Sequence, residues 1–203
     1  MQVIGLTGGV GAGKSVILEI LQREYGCYVI SADEVGHRMM QKGGITYRSI
    51  LAEYGSDILD AEGEIDKGKL AAIGFADNAS AERLSACTHP LIRQEIREEI
   101  ARAVQTHPLL VLESAIPVQG KLVEICDVMW YVYVPWEIRK QRIMESRGYS
   151  AERAEQTMKR QPADGEYRAI CDAVIDNSGS LEDTRSQLER LVSQIREQME
   201  HVV

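Results

Sequence analysis

Short apolar runs separated by longer stretches of mixed polarity recur along the whole chain. Gln2-Val3-Ile4-Gly5-Leu6-Thr7 is largely apolar and stops at Gly8, which predicts a buried strand running into a loop. Beyond that loop, Val16-Ile17-Leu18-Glu19-Ile20-Leu21 predicts a buried helix. Cys27-Tyr28-Val29-Ile30 predicts a second strand, Leu109 to Leu112 and Val128 to Val134 two more, and Ala173-Val174-Ile175 a fifth. Strands that alternate with helices predict a three-layer α/β fold, a parallel five-stranded sheet with helices on both faces.

Two stretches do not fit a plain strand–helix alternation. From Glu34 to His107 the chain is polar and helical, broken at Gly43-Gly44 and at the turn-like Asp60-Ala61-Glu62-Gly63. It is too long for a simple crossover and reads as a substrate-binding insertion. Within it Leu91, Ile92, Ile96, Ile100 and Val104 recur at helical spacing and read as core, with Pro90 suited to the first turn of that helix. A second insertion, Trp136 to Arg168, is rich in arginine, with Ser150 as an N-cap after Gly148. Near the C-terminus Leu188, Leu191, Ile195, Met199 and Val202 fall on one face of an amphipathic helix that Ser180 can cap.

Composition and charge narrow the function. A chain of 203 residues can bury one core of its own, and 44% hydrophobic with 27% charged residues is ordinary globular usage. The formal charge of −8 and a pI near 5.1 exclude a broad nucleic-acid surface, which needs a basic face. The second insertion runs against this balance: eight basic against six acidic residues leave it at +2, so the rest of the chain carries −10. No apolar run approaches the length of about 20 residues that a membrane helix needs, and the start lacks a charged stretch leading an apolar core, so a cytoplasmic home is expected. Cys27, Cys87, Cys126 and Cys171 are scattered, with no metal-ligand spacing, and read as reduced, buried, small hydrophobes.

One motif carries chemistry. Gly8-Gly9-Val10-Gly11-Ala12-Gly13-Lys14-Ser15 matches GxxxxGK[ST] in full and stands between a predicted strand and a predicted helix, the context the motif requires. Glycines let the backbone curl its N–H groups around phosphate oxygens, while the helix that follows points its positive end at the same anion. Gly9 to Lys14 are therefore expected to hold ATP phosphates, with Lys14 reaching the β- and γ-phosphates and Ser15 ligating Mg²⁺. Asp33 stands just beyond the second strand, at the edge where open α/β sheets hold ligands. It can accept a proton from an attacking hydroxyl, hold a magnesium-bound water, or simply cap the helix that begins at Glu34, a task Ser31 can serve equally. Glu113 ends the third strand and can assist the metal through water or merely leave the sheet as a polar residue. Arginines of the second insertion are candidates to close over a migrating phosphoryl group, Arg142 and Arg147 first, although such residues more often form a solvated helix face.

Along nearly its whole length the chain resembles the dephospho-CoA kinase family. The resemblance rests on Ile4 to Ser15, Ala32-Asp33, Tyr54-Gly55, Gly63-Glu64-Ile65-Asp66, His89-Pro90, Gln141-Arg142, Arg147, Arg160-Gln161, Asp172 and Asn177, in that order. It implies a P-loop kinase that moves the γ-phosphoryl of ATP to the ribose 3′-hydroxyl of dephospho-CoA, with Mg²⁺ as cofactor. It further implies Asp33 as the general base, Lys14 and the loop amides on the phosphates, Arg142 and Arg147 in a closing lid, and Asn177 beside the adenine. His89-Pro90 would lie in the substrate domain, though His89 can equally be a helix cap. The implied organisation is a nucleotide-binding core in 1–35, 108–135 and 169–203, a helical CoA-binding insertion in 36–107 and an Arg-bearing lid in 136–168. Expected partners are ATP and dephospho-CoA, with no nucleic acid and no membrane, and a chain that acts as a monomer or weak homo-oligomer.

Two positions depart from the family pattern. Ile116-Pro117-Val118-Gln119-Gly120 stands where the family usually reads an apolar run ending in Phe-Glu, and Lys67 stands where an arginine is usual, keeping charge but losing bidentate geometry. Three rival readings are another small-molecule P-loop kinase, a GTP-dependent switch and a non-catalytic nucleotide-binding regulator. The switch lacks an Asn-Lys-x-Asp guanine-reading segment after the fourth strand, and only the Pro117 departure speaks for the regulator.

Overall fold

A computed structural model describes residues 2–74, 76–115 and 121–201. In chain order the elements are β1 (Gln2–Thr7), α1 (Lys14–Tyr25), β2 (Tyr28–Ser31), α2 (Ala32–Met39), α3 (Ile45–Tyr54), α4 (Lys67–Gly74), α5 (Asn78–Ala103), β3 (Leu109–Glu113), β4 (Val128–Tyr133), α6 (Trp136–Arg147), α7 (Ala151–Lys159), α8 (Asp164–Ala169), β5 (Ala173–Asp176) and α9 (Leu181–Glu200). The chain divides into two compact units, Met1–Ile30 with Ala101–Val203, and Ser31–Ile100. Pro117 and its neighbours lie outside the described residues, as does Val202.

The first unit is built on the five predicted strands, in the order β2-β3-β1-β4-β5. β1 pairs in parallel with β3 and with β4, and β4 with β5. Burial is almost continuous along β1, β3 and β4, the mark of a sheet covered on both faces. Alternate residues, Ile4, Leu6, Leu109, Val111, Trp130, Val132 and Ile175, form one core with Ile17 and Leu21 of α1 and Leu188, Val192 and Ile195 of α9. Each such side chain contributes about 1.5–3 kcal/mol when fully buried. The expected caps are present: Ser180 Oγ accepts from Asp183 N at 3.1 Å, and Ser150 Oγ from Arg153 N at 3.3 Å. Parallel strands need long connections, and this is why both insertions fall between strands.

The second unit packs Val35, Met39, Tyr47, Ile50, Ile58 and Ile96 into its interior. The expected break at Gly43-Gly44 separates α2 from α3. The Asp60–Gly63 turn is held by its first carboxylate, which accepts from Glu62 N at 3.1 Å and Glu64 N at 2.9 Å, and closes a bridge between Leu59 and Ile65.

Two expectations fail here. Pro90 is not in a first turn and His89 is not a cap, because α5 begins at Asn78 and carries both in its interior. Pro90 cannot donate to the helical ladder, and in the turn before it the Cys87 carbonyl accepts the Ser49 hydroxyl at 2.9 Å. The cysteines are all free, but only Cys27 is buried and the other three are partly exposed. Burial pushes the Cys27 thiol up to about 11 and that of Cys126 to about 12, so neither is an activated nucleophile. No helix among the described residues is long and apolar enough to cross a membrane.

Candidate active site

The parallel register brings four strand ends to one edge of the sheet. Leu6 of β1 lies beside Glu113 of β3, Thr7 beside Tyr131 of β4, and Asn177, just past β5, donates its N–H to Tyr133 O at 2.9 Å. From this edge the loop Gly8–Gly13 leads into α1. Gly13 is the N-cap in a left-handed conformation (φ +83°), and a Cβ there would lie 2.4 Å from Asn177 Nδ2. At Gly9 a Cβ would come 2.1 Å from the Arg139 guanidinium. At both glycines the space a Cβ would take is filled by a side chain from far along the sequence, and Gly13 adds a left-handed backbone that favours glycine.

Gly13 offers α1 no side-chain hydrogen bond, and the first turn of the helix has no acidic residue. A helix starts with N–H groups that have no partner within it, and the positive end of its dipole faces the same way. Such an end, left bare, is an anion site. Lys14 stands on it: its Nζ donates to Gly8 O at 2.8 Å and lies 3.4 Å from Glu113 Oε1. The ammonium is thus held at the base of the loop, with 15% of its side chain exposed. Ser15, next on the helix, is exposed.

Several later residues close on the loop. Asn177 Nδ2 donates to Ala12 O at 2.8 Å, and its Oδ1 accepts the Thr184 hydroxyl at 2.9 Å. Arg142 donates to Asn177 O at 3.1 Å, which sets α6 beside the same corner. Arg147 ends α6 as an exposed residue, without a hydrogen bond or ion pair to the loop among the described residues. Arg139, one turn before Arg142, is buried to 7% exposure and donates from Nε to Val10 O at 2.9 Å. Gln161 Oε1 accepts from Val10 N at 2.7 Å and from the same guanidinium at 3.3 Å. Burial holds the Arg139 pKa below the usual arginine value, against the pull of Tyr131, Tyr167 and Asp164.

In the second unit, Ser31 settles the cap of α2: its Oγ accepts from Glu34 N at 3.4 Å, so Asp33 is an exposed first-turn residue and not the cap. His89 is half-buried and Pro90 exposed, both in mid-α5. This unit also contains a cavity of about 950 Å³, lined by His37, Met40, Asp66, Lys67, Leu70 and Leu84 among others. That is within the size of pockets that take organic ligands. Asp66 spends its carboxylate on Gly68 N at 2.7 Å and Lys69 N at 3.1 Å, bonds that hold its pKa below the ordinary range, while Lys67 is exposed at the cavity wall.

Comparison with known proteins decides the family. The family model for dephospho-CoA kinase matches residues 2–183. This chain belongs to the dephospho-CoA kinase family. A dephospho-CoA kinase of Aquifex aeolicus is 37% identical over 195 residues, covering 96% of this chain and 98% of that protein. A crystal structure from Thermus thermophilus superposes with a TM-score of 0.81 at 27% identity, covering 95% and 97% of the two chains. The solved structure of a Campylobacter jejuni dephospho-CoA kinase, at 24% identity and TM-score 0.66 over 95% and 96%, agrees in fold. The expected P-loop fold and the expected kinase family both stand, and with them the reading of an ATP-dependent enzyme.

Within this dephospho-CoA kinase framework, Gly9 to Ser15, Glu113, Arg142 and Asn177 come together at one sheet edge, whereas Asp33, His89 and Pro90 belong to the other unit. Arg139 and Thr184 do not stand out in the sequence, and Gln161 enters it only as part of the family resemblance, without a role. Arg139 was visible only as one positive charge among eight, although its spacing of three from Arg142 places both on neighbouring positions of one helix face.

Proposed function

We propose that this chain transfers the γ-phosphoryl group of ATP to the ribose 3′-hydroxyl of dephospho-CoA, giving coenzyme A and ADP. The observation that supports it most is the uncapped end of α1 with Lys14 beside it, in a chain of this family. The loop amides and Lys14 take the β- and γ-phosphates. Arg142 adds positive charge from the Arg-bearing lid at 136–168, with Arg147 the further cation of that lid. Asn177, placed by resemblance on the adenine side, fixes Ala12 from behind.

Asp33 accepts the proton of the 3′-hydroxyl as that oxygen attacks the γ-phosphorus, the bond from phosphorus to the bridging oxygen breaks, and ADP leaves with the electron pair. The aspartate is suited to this because Ser31 has relieved it of capping duty. Catalysis comes from positioning and charge, without a covalent enzyme intermediate. The helical insertion at 36–107, with its cavity, His89 and Pro90, receives the acceptor, and Lys67 meets it as a flexible cation where an arginine fork is usual.

Magnesium fits the residues present. Among the described residues no group of three or more His, Cys, Asp or Glu side chains can hold a metal by itself. Mg²⁺ does not need one, since it takes one or two protein groups and completes its shell with phosphate oxygens and water. The exposed Ser15 hydroxyl would ligate it, with Glu113 or Asp33 through water. When bound, it neutralises phosphate charge. We place the enzyme in the cytoplasm, where both substrates are small soluble anions.

The test is to incubate the protein with ATP, magnesium and dephospho-CoA and to follow coenzyme A by mass. Coenzyme A and ADP should appear in equal amounts, with dephospho-CoA strongly preferred over free nucleosides as acceptor. ADP release with no phosphorylated acceptor, or equal use of nucleosides, would refute the assignment.

A further inference from the structure

The phosphate motif explains what Gly13, Lys14 and Ser15 do. It does not explain Val10, which occupies one of its unspecified positions. Yet both main-chain polar groups of Val10 are held by side chains from far along the sequence. Its N–H goes to Gln161 Oε1 at 2.7 Å and its C=O to Arg139 Nε at 2.9 Å. Its side chain packs on Ile143 of α6 and Ala154 and Met158 of α7.

The group that holds Val10 is itself unusual. Arg139 is 7% exposed, and among the described residues it donates to a carbonyl and an amide oxygen, with no carboxylate in ion-pair contact and Asp164 acting on it from beyond that distance. A guanidinium buried without a directly paired carboxylate is costly in a fold selected for stability alone. It lies against Gly9, whose missing side chain is the space it fills. A permanent cation behind a loop of phosphate-facing amides raises the positive potential that the loop presents, and a dianionic or trianionic ligand would add compensation of its own.

We propose that Arg139 and Gln161 are positioning residues that act through Val10, setting the phosphate loop in its binding shape and fastening it to the α6–α7 helices before nucleotide arrives. The inference rests on the phosphate-site reading of the loop and goes beyond it, because neither residue is in the motif. It predicts that part of the affinity for ATP is set by residues that never touch it.

The experiment compares Arg139→Met, Gln161→Leu and the double variant with the wild-type enzyme. For each, the Kd for ATP is measured by titration, the KM for dephospho-CoA and kcat by steady-state assay, and folding by thermal unfolding. Removing a hydrogen bond to a charged group or stranding a buried partner corresponds to roughly a tenfold to hundredfold change in binding. Each single variant should weaken ATP by about that factor, leave the KM for dephospho-CoA within about twofold, and remain folded. Because both residues act on one loop residue, the double variant should be no weaker than the worse single one. If Arg139→Met does not fold, Gln161→Leu, changed at a half-buried position, carries the test by itself. ATP affinity within about twofold of wild type in folded variants would overturn the proposal, as would a parallel loss for both substrates or strictly additive losses. If the wild type itself failed to bind ATP, the phosphate-site reading would be the part that had failed.

Discussion

Helices α1 and α9 belong to the same unit and pack in the same core, yet their N-termini are finished in opposite ways. α9 starts at Ser180, whose hydroxyl takes Asp183 N at 3.1 Å while the Asp183 carboxylate takes Ser180 N at 3.1 Å, so the end is closed from both sides. α1 starts at Gly13, with neither a capping side chain nor an acid in its first turn. A capped end stabilises by about 1 kcal/mol. A bare one forgoes that and is left to be completed by an anion. The difference separates a helix end that serves the fold from one that serves a ligand. α2 is an intermediate case, capped by Ser31 with Asp33 left over for other work.

That contrast can be broken in several places, and the largest effect is expected at Asp33. If it is surplus to capping, Asp33→Asn should leave the ATP Kd and the melting temperature near wild type and lower kcat by about 10²–10⁴, the range of a general base. A small change in stability with unchanged kcat would return Asp33 to a helix-end role. Next comes Lys14→Ala, expected to lower kcat/KM by about 10²–10³, since it removes a preorganised charge from the phosphate site. Its fold should survive, because among the described residues the ammonium bonds only the loop and Glu113.

A smaller effect separates the two ends of α1. Gly13 and Gly26 both have left-handed backbones, at φ +83° and +70°, but a Cβ at Gly26 meets nothing within 4 Å. Gly26→Ala should therefore cost about 1–2 kcal/mol of stability and no activity. Gly13→Ala bears the same backbone cost plus the collision with Asn177, and should also weaken ATP at least about tenfold. Equal ATP affinity in the two variants would mean that the loop tolerates a side chain where the structure leaves no room.

The smallest effects belong to the closed end. Ser180→Ala should cost about 1 kcal/mol, a fall in melting temperature of about 2–4 °C, with kcat/KM unchanged. Asp183 adds a pH signature: the Ser180 hydroxyl and N–H hold its carboxyl below the ordinary range. A depressed folded pKa gives stability that is present above the unfolded value, near 4, and is lost as pH falls through the lower folded value. The melting-temperature gap between wild type and Asp183→Asn should thus be full near pH 6 and close towards pH 3. A gap that widened in acid would contradict the assigned cause.

The sequence made some of this legible and concealed the rest for physical reasons. The strands could be read because each is a short apolar run, in β1, β3 and β4 buried on both faces, and the phosphate loop because its requirements fall on consecutive residues. The caps at Ser150 and Ser180 were visible for the same reason, since a cap and its target lie within one turn. Pro90 is misleading in the sequence because proline favours first turns, whereas α5 runs through it, with Ser49 bonding a carbonyl nearby. Arg139 was hidden because an arginine on an amphipathic helix is normally solvated, and its partners Val10 and Gln161 lie far away in sequence. Local chemistry shows in a sequence; a contact closed by the fold shows only in the structure.

The claim on which the rest depends is that the bare end of α1 binds phosphate. Calorimetric titration of the wild-type protein with ATP, ADP and adenosine, in magnesium, measures it directly. ATP and ADP should bind at least about a hundredfold more tightly than adenosine, since the amides and Lys14 act only on phosphates. Adenosine binding as tightly as ATP would place recognition on the base and contradict the account.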